Sequence, residues 1–202
     1  MKTTLILVRH GETAWHAKNQ YYGHTDVPLS PKGYKQGLDV ARALSGAQVD
    51  AVYTSDLTRS KEVGDLVAKE HELEVVVNPA LREMNFGEWE GKTHDELLVG
   101  DAGRYGSWLD APGMIATPEG ETLPILAARV KDAITTIVRE NKGKQIVLVA
   151  HGGPIKTTLM DALGIPFSHF MRLEIKYGSF SVLDFFGETP LLVTINDTHH
   201  LA

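Results

Sequence analysis

Short apolar runs alternate along this chain with longer segments of helical period, and that alternation restricts the fold more than any other feature. TLILV (4–8), AVYTS (51–55), LEVVV (73–77) and QIVLVA (145–150) are rich in Val, Ile and Leu with little polar alternation. That is the pattern of strands buried on both faces. Between the first two, LSPKGYKQGLDVARAL puts Ser30 at an N-cap and Pro31 at the first helical position. DLTRSKEVGDLVAKEH (56–71) carries Val63, Leu66 and Val67 as an i, i+3, i+4 stripe, and TLPILAARVKDAITTIVREN (122–141) continues such a stripe. A short helix is predicted at 154–163. Two strands are predicted between Leu173 and about Ile195, with a turn at Gly187-Glu188. Successive strand–helix units predict a three-layer α/β/α sandwich around a mostly parallel central sheet.

Residues 85–120 break this rhythm. FGEWEGKTHDELL, DAGRYGSWLDAPG and ATPEGE are rich in Gly, Pro, Asp and aromatic residues, the composition of a surface excursion or a lid. With 202 residues and no repeat or linker, the chain is expected to form a single domain, 1–202, with this segment as a small inserted cap. A net charge of −6 argues against nucleic acid and anionic membranes as partners. The absence of cysteine removes thiol nucleophiles and thiolate metal sites, and it fits a cytoplasmic location. No apolar run approaches membrane-spanning length, and the first run is too short for a signal peptide.

Charged and imidazole side chains stand where those strands end. Arg9-His10 follow TLILV; Arg59 follows AVYTSDLT; Glu83 follows LEVVVNPALR; His151-Gly152-Gly153 follow QIVLVA. Taken singly, each has an ordinary explanation: a hydrogen-bonded loop histidine, a surface arginine, a solvated carboxylate. In a parallel sheet, however, all strand C-termini share one edge, where open α/β sheets bind ligands. Two arginines, two histidines and one glutamate would meet there.

Forked arginine donors with two imidazoles suit the oxygens of a phosphoryl group. His10 is then the candidate nucleophile, provided one ring nitrogen is held by a backbone carbonyl and the other faces phosphorus. Gly11 would let the backbone bend close enough for that arrangement. Glu83 would protonate the departing alkoxide and then deprotonate water. The scheme closes without a metal or other cofactor.

LVRHGETAW, YTSDLTRSKE, LREMNFGEWEG, PEGET and VAHGG occur in the order found in the histidine phosphatase superfamily, the phosphoglycerate-mutase-like proteins, which this chain resembles from residue 5 to about 155. RHGET with LREMNFGEWEG looks most like the small phosphatase branch that includes α-ribazole phosphatases. The resemblance implies a phosphohistidine on His10, with Arg9, Arg59 and His151 on the phosphoryl oxygens and Glu83 as proton donor. It makes Thr13, His16, Tyr22, Gly23 and Gly152 the expected substrate-binding positions. The implied partner is a small phosphorylated metabolite. The sequence leaves the oligomeric state open, with a homodimer as one candidate.

Two departures bear on specificity. The family commonly has Asn at the place of His16, and often an Arg and a Gln where this chain has Gln20 and Tyr22. His16 would either donate to phosphate or pack in its loop near Trp15. A phosphoglycerate mutase would use the same catalytic residues. The mutases of the family carry a longer insertion between the acid and the second histidine, whereas 67 residues separate Glu83 from His151 here. This favours a phosphatase. A catalytically dead phospho-ligand binding module is the remote third reading, since all five core residues are present.

Other polar clusters are expected to be structural. His94-Asp95-Glu96 should point apart on a helix, and His199-His200 should belong to a disordered tail. Gly23-His24-Thr25-Asp26 would line the pocket or simply turn. Trp89, Tyr105 and Trp108 are expected to pack the cap rather than stack on substrate.

Overall fold

The computed structural model describes residues 1–111 and 113–201. Strands β1 (Lys2–Arg9), β2 (Ala51–Thr54), β3 (Val75–Val77), β4 (Gln145–Ala150), β5 (Phe180–Phe186) and β6 (Thr189–Asp197) form a six-stranded sheet in the order β3-β2-β4-β1-β5-β6. The β1–β4, β2–β4 and β2–β3 pairs are parallel, and the β1–β5 and β5–β6 pairs antiparallel.

The two central strands justify their sequences. Ile146, Val147, Leu148, Val149 and Ala150 of β4 are all buried, as are Leu5, Ile6, Leu7 and Val8 of β1. Burying each such Val, Leu or Ile side chain contributes about 1.5–3 kcal/mol. Odd and even positions feed different cores. On one face α5 (Leu123–Glu140) and α6 (Gly152–Leu163) pack on Leu5, Leu7, Ile146 and Leu148. On the other, α1 (Pro31–Leu44) and α2 (Thr58–Glu70) pack on Ile6, Val8, Val147 and Val149. The expected three layers are present. β3 departs from expectation: it is an edge strand of three residues, paired only with β2 among the described residues, and its Val76 and Val77 are 47% and 42% exposed.

Ser30 caps α1, its hydroxyl accepting from Gly33 N–H at 3.0 Å, with Pro31 at the first position. The segment after β3 contains α3 (His94–Gly100) and α4 (Ala102–Asp110), built on their own hydrophobic cluster of Trp89, Leu97, Tyr105 and Trp108. Tyr105 and Trp108 stack at 6.2 Å with planes 7° apart, so these rings pack the segment itself. His94 Nδ1 lies 2.6 Å from the Tyr105 hydroxyl and Glu96 closes a capping box with Thr93, so the His94-Asp95-Glu96 run is structural.

The chain leaves β1 through α1 on one face and leaves β4 through α6 on the other. The topological switch point therefore lies between β1 and β4, directly beyond His10 and His151.

Candidate active site

β1 and β4 run in parallel register, Arg9 opposite Ala150, so the next residues of both strands meet at the carboxyl edge of the sheet. His10 N–H donates to the Ala150 carbonyl at 3.0 Å, and the rings of His10 and His151 sit edge to face with centroids 5.0 Å apart. His10 is 2% exposed and its Nδ1 lies 2.6 Å from the Gly11 carbonyl. A carbonyl only accepts, so Nδ1 carries the ring proton and Nε2 presents its lone pair. Burial, with Arg59 and Arg9 adding to it, holds the His10 pKa well below the usual histidine range, so the ring is neutral at neutral pH. The reason for glycine at position 11 is a close approach: a Cβ there would lie 2.1 Å from the Gly33 carbonyl oxygen at the start of α1.

His151 is fully buried and likewise held well below its ordinary pKa, first by burial and then by Arg59, His10 and Arg9. Its Nε2 lies 2.8 Å from Ser55 Oγ, just past β2, while its Nδ1 is buried without a partner. Arg59, in the first turn of α2, is completely buried. Its terminal nitrogens donate to the carbonyls of Thr25 at 2.9 Å and Gly23 at 2.6 Å, leaving Nε without an acceptor. Arg9 donates to the Ile175 carbonyl and its Nε is also unpartnered. Thr13 Oγ is the fourth buried orphan. Among the described residues, these four buried polar atoms have no partner, and two of them are on cations; with the Nδ1-protonated tautomer of His151 all four are donors and suit an anion, because each would otherwise carry an uncompensated desolvation cost.

Glu83 reaches the same place from the strap after β3. Gly153 N–H donates to its carboxylate at 3.0 and 3.1 Å, and Met84 N–H donates at 2.8 Å. A Cβ on Gly153 would lie 2.2 Å from Glu83 Oε1, whereas one on Gly152 would make ordinary contacts with Arg9 and Glu83. The second glycine of HGG is thus the one the geometry requires. Asp56, the other acid nearby, is tied to Arg82 with Nε donating at 2.7 Å, and that bond holds its pKa below the usual carboxylate range.

The remaining expected positions sit around this centre. Gly23 supplies a carbonyl to Arg59. The Tyr22 ring lies under the Arg59 guanidinium at 5.0 Å. His16 packs against Tyr177, centroids 4.8 Å apart. His24 and Thr25 N–H groups are bound by Glu90, and Asp26 accepts from Thr58 at the start of α2, so 23–26 is a braced turn that also orients Arg59.

Several residues assembled here carried no signal in the sequence reading. Tyr177 lies over Arg9, its ring centroid 3.7 Å from the guanidinium carbon, and its hydroxyl is 2.8 Å from that of Tyr22. Ser55 was visible only as part of a motif. Arg129 of α5 donates to the carbonyls of Ala80, Arg82 and Glu83 and to both oxygens of Glu121. Glu121 in turn accepts from Asn85 N–H at 2.9 Å, so the pair grips the strap on both sides of Glu83. A separate groove of about 810 Å³, between α5, α6 and the β5–β6 turn, opens at the opposite end of the sheet.

A neutral, tethered imidazole, a second imidazole, one buried and one half-buried guanidinium and a carboxylate at a parallel-sheet edge define a phosphoryl-handling α/β enzyme. The sequence matches the histidine phosphatase superfamily (branch 1) over residues 5–198, and the chain belongs to that family. It is 29% identical over 192 residues to the adenosylcobalamin/alpha-ribazole phosphatase of Escherichia coli K12, covering 95% of each chain. It is 31% identical over 203 residues to the probable phosphoglycerate mutase GpmB of Yersinia enterocolitica, covering 98% of this chain and 94% of that one. Among solved structures it superposes with a TM-score of 0.88 and 29% identity on the phosphoserine phosphatase of Entamoeba histolytica in complex with 3-phosphoglyceric acid, covering 99% and 100% of the two chains. No helix of the described residues is long and apolar enough to cross a membrane.

Proposed function

We propose that this protein hydrolyses small-molecule phosphomonoesters through a phosphohistidine on His10, without a metal. The observation that carries the reading is the tether of His10 Nδ1 to the Gly11 carbonyl in a ring kept neutral by burial and two arginines. It leaves Nε2 as a lone-pair donor beside the orphaned donors of Arg9, Arg59, His151 and Thr13.

The substrate's phosphoryl oxygens take those orphaned donors. With Ser55 O–H as the donor across its 2.8 Å contact to His151 Nε2, the His151 proton sits on Nδ1 and that atom donates to phosphate. His10 Nε2 forms a bond to phosphorus as the P–O bond to the leaving group breaks, and protonated Glu83 gives its proton to the departing oxygen. Glu83, now a carboxylate, takes a proton from water. The hydroxide attacks phosphorus, the P–N bond breaks back to His10, and inorganic phosphate leaves.

His16, Tyr22 and Tyr177 surround the leaving-group side, and Thr13, Gly23 and Gly152 complete the substrate-binding set. The whole chain acts as one histidine phosphatase domain with residues 85–120 as its cap, and it works in the cytoplasm. The ligand named for the phosphoserine phosphatase neighbour supports a small phosphorylated metabolite as substrate. The mutase-named relative keeps phosphoglycerate mutase as the second reading; the short span between Glu83 and His151 favours the phosphatase. Phosphate release is to be measured on 3-phosphoglycerate, phosphoserine, a nucleoside monophosphate, a sugar phosphate and α-ribazole phosphate, with mutase activity followed alongside. Hydrolysis of at least one without phosphoglycerate isomerisation supports the reading; isomerisation exceeding hydrolysis overturns it.

A further inference from the structure

The chain's last turn carries a cluster that the phosphoryl crevice does not use. Far from being a disordered tail, residues 198–201 form a turn closed by Leu201 N–H donating to the Thr198 carbonyl at 3.0 Å. It follows directly on Asp197, the last residue of β6. One donor atom from each of Asp197, His199 and His200 lies within 4.8 Å of the other two. The His200 ring is fixed twice. It stacks on Phe180 with centroids 4.9 Å and planes 15° apart, and its Nε2 lies 2.9 Å from the Gly178 carbonyl. That carbonyl places the ring proton on Nε2 and leaves the lone pair on Nδ1, which is buried and has no partner among the described residues. His199 Nδ1 lies 2.7 Å from Asp197 Oδ1.

We propose that Asp197, His199 and His200 form a binding site for a divalent transition-metal ion of the zinc class, separate from the phosphoryl site. Two imidazoles and one carboxylate are a borderline-soft donor set, which selects zinc-like ions over magnesium or calcium, and water completes the coordination. An imidazole whose second nitrogen donates to a backbone carbonyl is the usual outer arrangement of a metal-bound histidine, and His200 has it already. On binding through His199 Nδ1, the proton shared with Asp197 moves to Nε2 of the same exposed ring. The ion thereby joins the end of β6 to the turn at Gly178. That turn is bonded in its other direction to the catalytic strand, Gly178 N–H donating to the carbonyls of Arg9 and His10, both at 3.1 Å. The site is a clasp on the element behind His10, not a part of the chemistry.

The test is calorimetric titration of chelator-treated protein with Zn²⁺, and with Co²⁺ followed by its visible absorption. One ion per chain is expected, with no binding of Mg²⁺ at the same concentrations and a rise in Tm on adding Zn²⁺. His199→Ala and Asp197→Asn should each weaken Zn²⁺ binding about tenfold or more and abolish the Tm rise. The His199 side chain is 73% exposed, so its removal leaves the fold intact. His10→Ala should retain the ion. Unchanged affinity in His199→Ala, or loss of the ion in His10→Ala, would overturn the proposal, the latter by placing the metal among the crevice histidines.

Discussion

The backbone N–H of Gly153 donates to both carboxylate oxygens of Glu83, at 3.0 and 3.1 Å, so the residue two places after His151 holds the acid in place. The strand end that delivers one imidazole therefore also sets the position of the proton donor. Gly153→Ala would drive a methyl group to within 2.2 Å of Glu83 Oε1 and displace it. Activity on alkyl phosphates should fall in the same direction as in Glu83→Gln, and a variant with unchanged turnover on them would show that Glu83 works from another position.

Removing the proton donor should hurt poor leaving groups most. An alkoxide needs a proton in the transition state and a nitrophenolate needs little. General acid catalysis supplies about 10²–10⁴-fold, so Glu83→Gln should lose roughly that factor on alkyl phosphates. The burst phase on p-nitrophenyl phosphate, which isolates phosphoenzyme formation, should lose clearly less. Equal losses in the burst and in single-turnover cleavage of an alkyl ester would make Glu83 structural.

Arg129 is a positioning residue for Glu83, since its guanidinium collects the carbonyls of Ala80, Arg82 and Glu83 at 2.8–2.9 Å. A lysine cannot serve three acceptors and the Glu121 carboxylate from one ammonium. Arg129→Lys should cost about 1.5–3 kcal/mol on alkyl phosphates, roughly tenfold or more, with a steeper dependence of rate on leaving-group pKa. A uniform loss across all leaving groups would indicate a general loosening instead.

Much of this was legible beforehand because it is local. The uninterrupted apolar runs of β1 and β4, Ser30 before Pro31, and charged residues just past strand ends are all written in neighbouring positions, and they located His10, Arg59, Glu83 and His151. What escaped depends on chain segments meeting across the sheet. Tyr177 sits in an irregular stretch before β5, and only the antiparallel pairing of β5 with β1 lays its ring on Arg9. Ser55 matters only because β2 and β4 are neighbours. Three consecutive valines made β3 look like an interior strand, yet edge or centre is decided by the strand order. His199-His200 looked like a disordered tail, because nothing local announces a stacking partner at Phe180.

The buried histidines make stability pH-dependent with a definite sign. His10 and His151 have folded pKa values below the unfolded value of about 6.5. Above that pH neither state binds these protons and nothing is lost. As pH falls below it, the unfolded chain takes up protons that the native chain refuses, and each group withdraws about 1.4 kcal/mol of stability per pH unit until its folded pKa is reached. Denaturant midpoints between pH 6.5 and 5.5 should therefore fall less steeply in His10→Asn than in the parent. Parallel slopes would mean that His10 titrates normally in the fold.

The phosphoenzyme itself is the most direct measurement. Protein turning over a ³²P-labelled phosphomonoester in the presence of EDTA is quenched in alkali, and the label retained on the chain is counted and mapped. The expected result is up to one phosphoryl group per chain, stable in base, released in acid, located on His10 and absent from His10→Ala. Retained label in His10→Ala, or a parent enzyme that turns over rapidly with no labelled chain at any quench time, would contradict a phosphohistidine at His10.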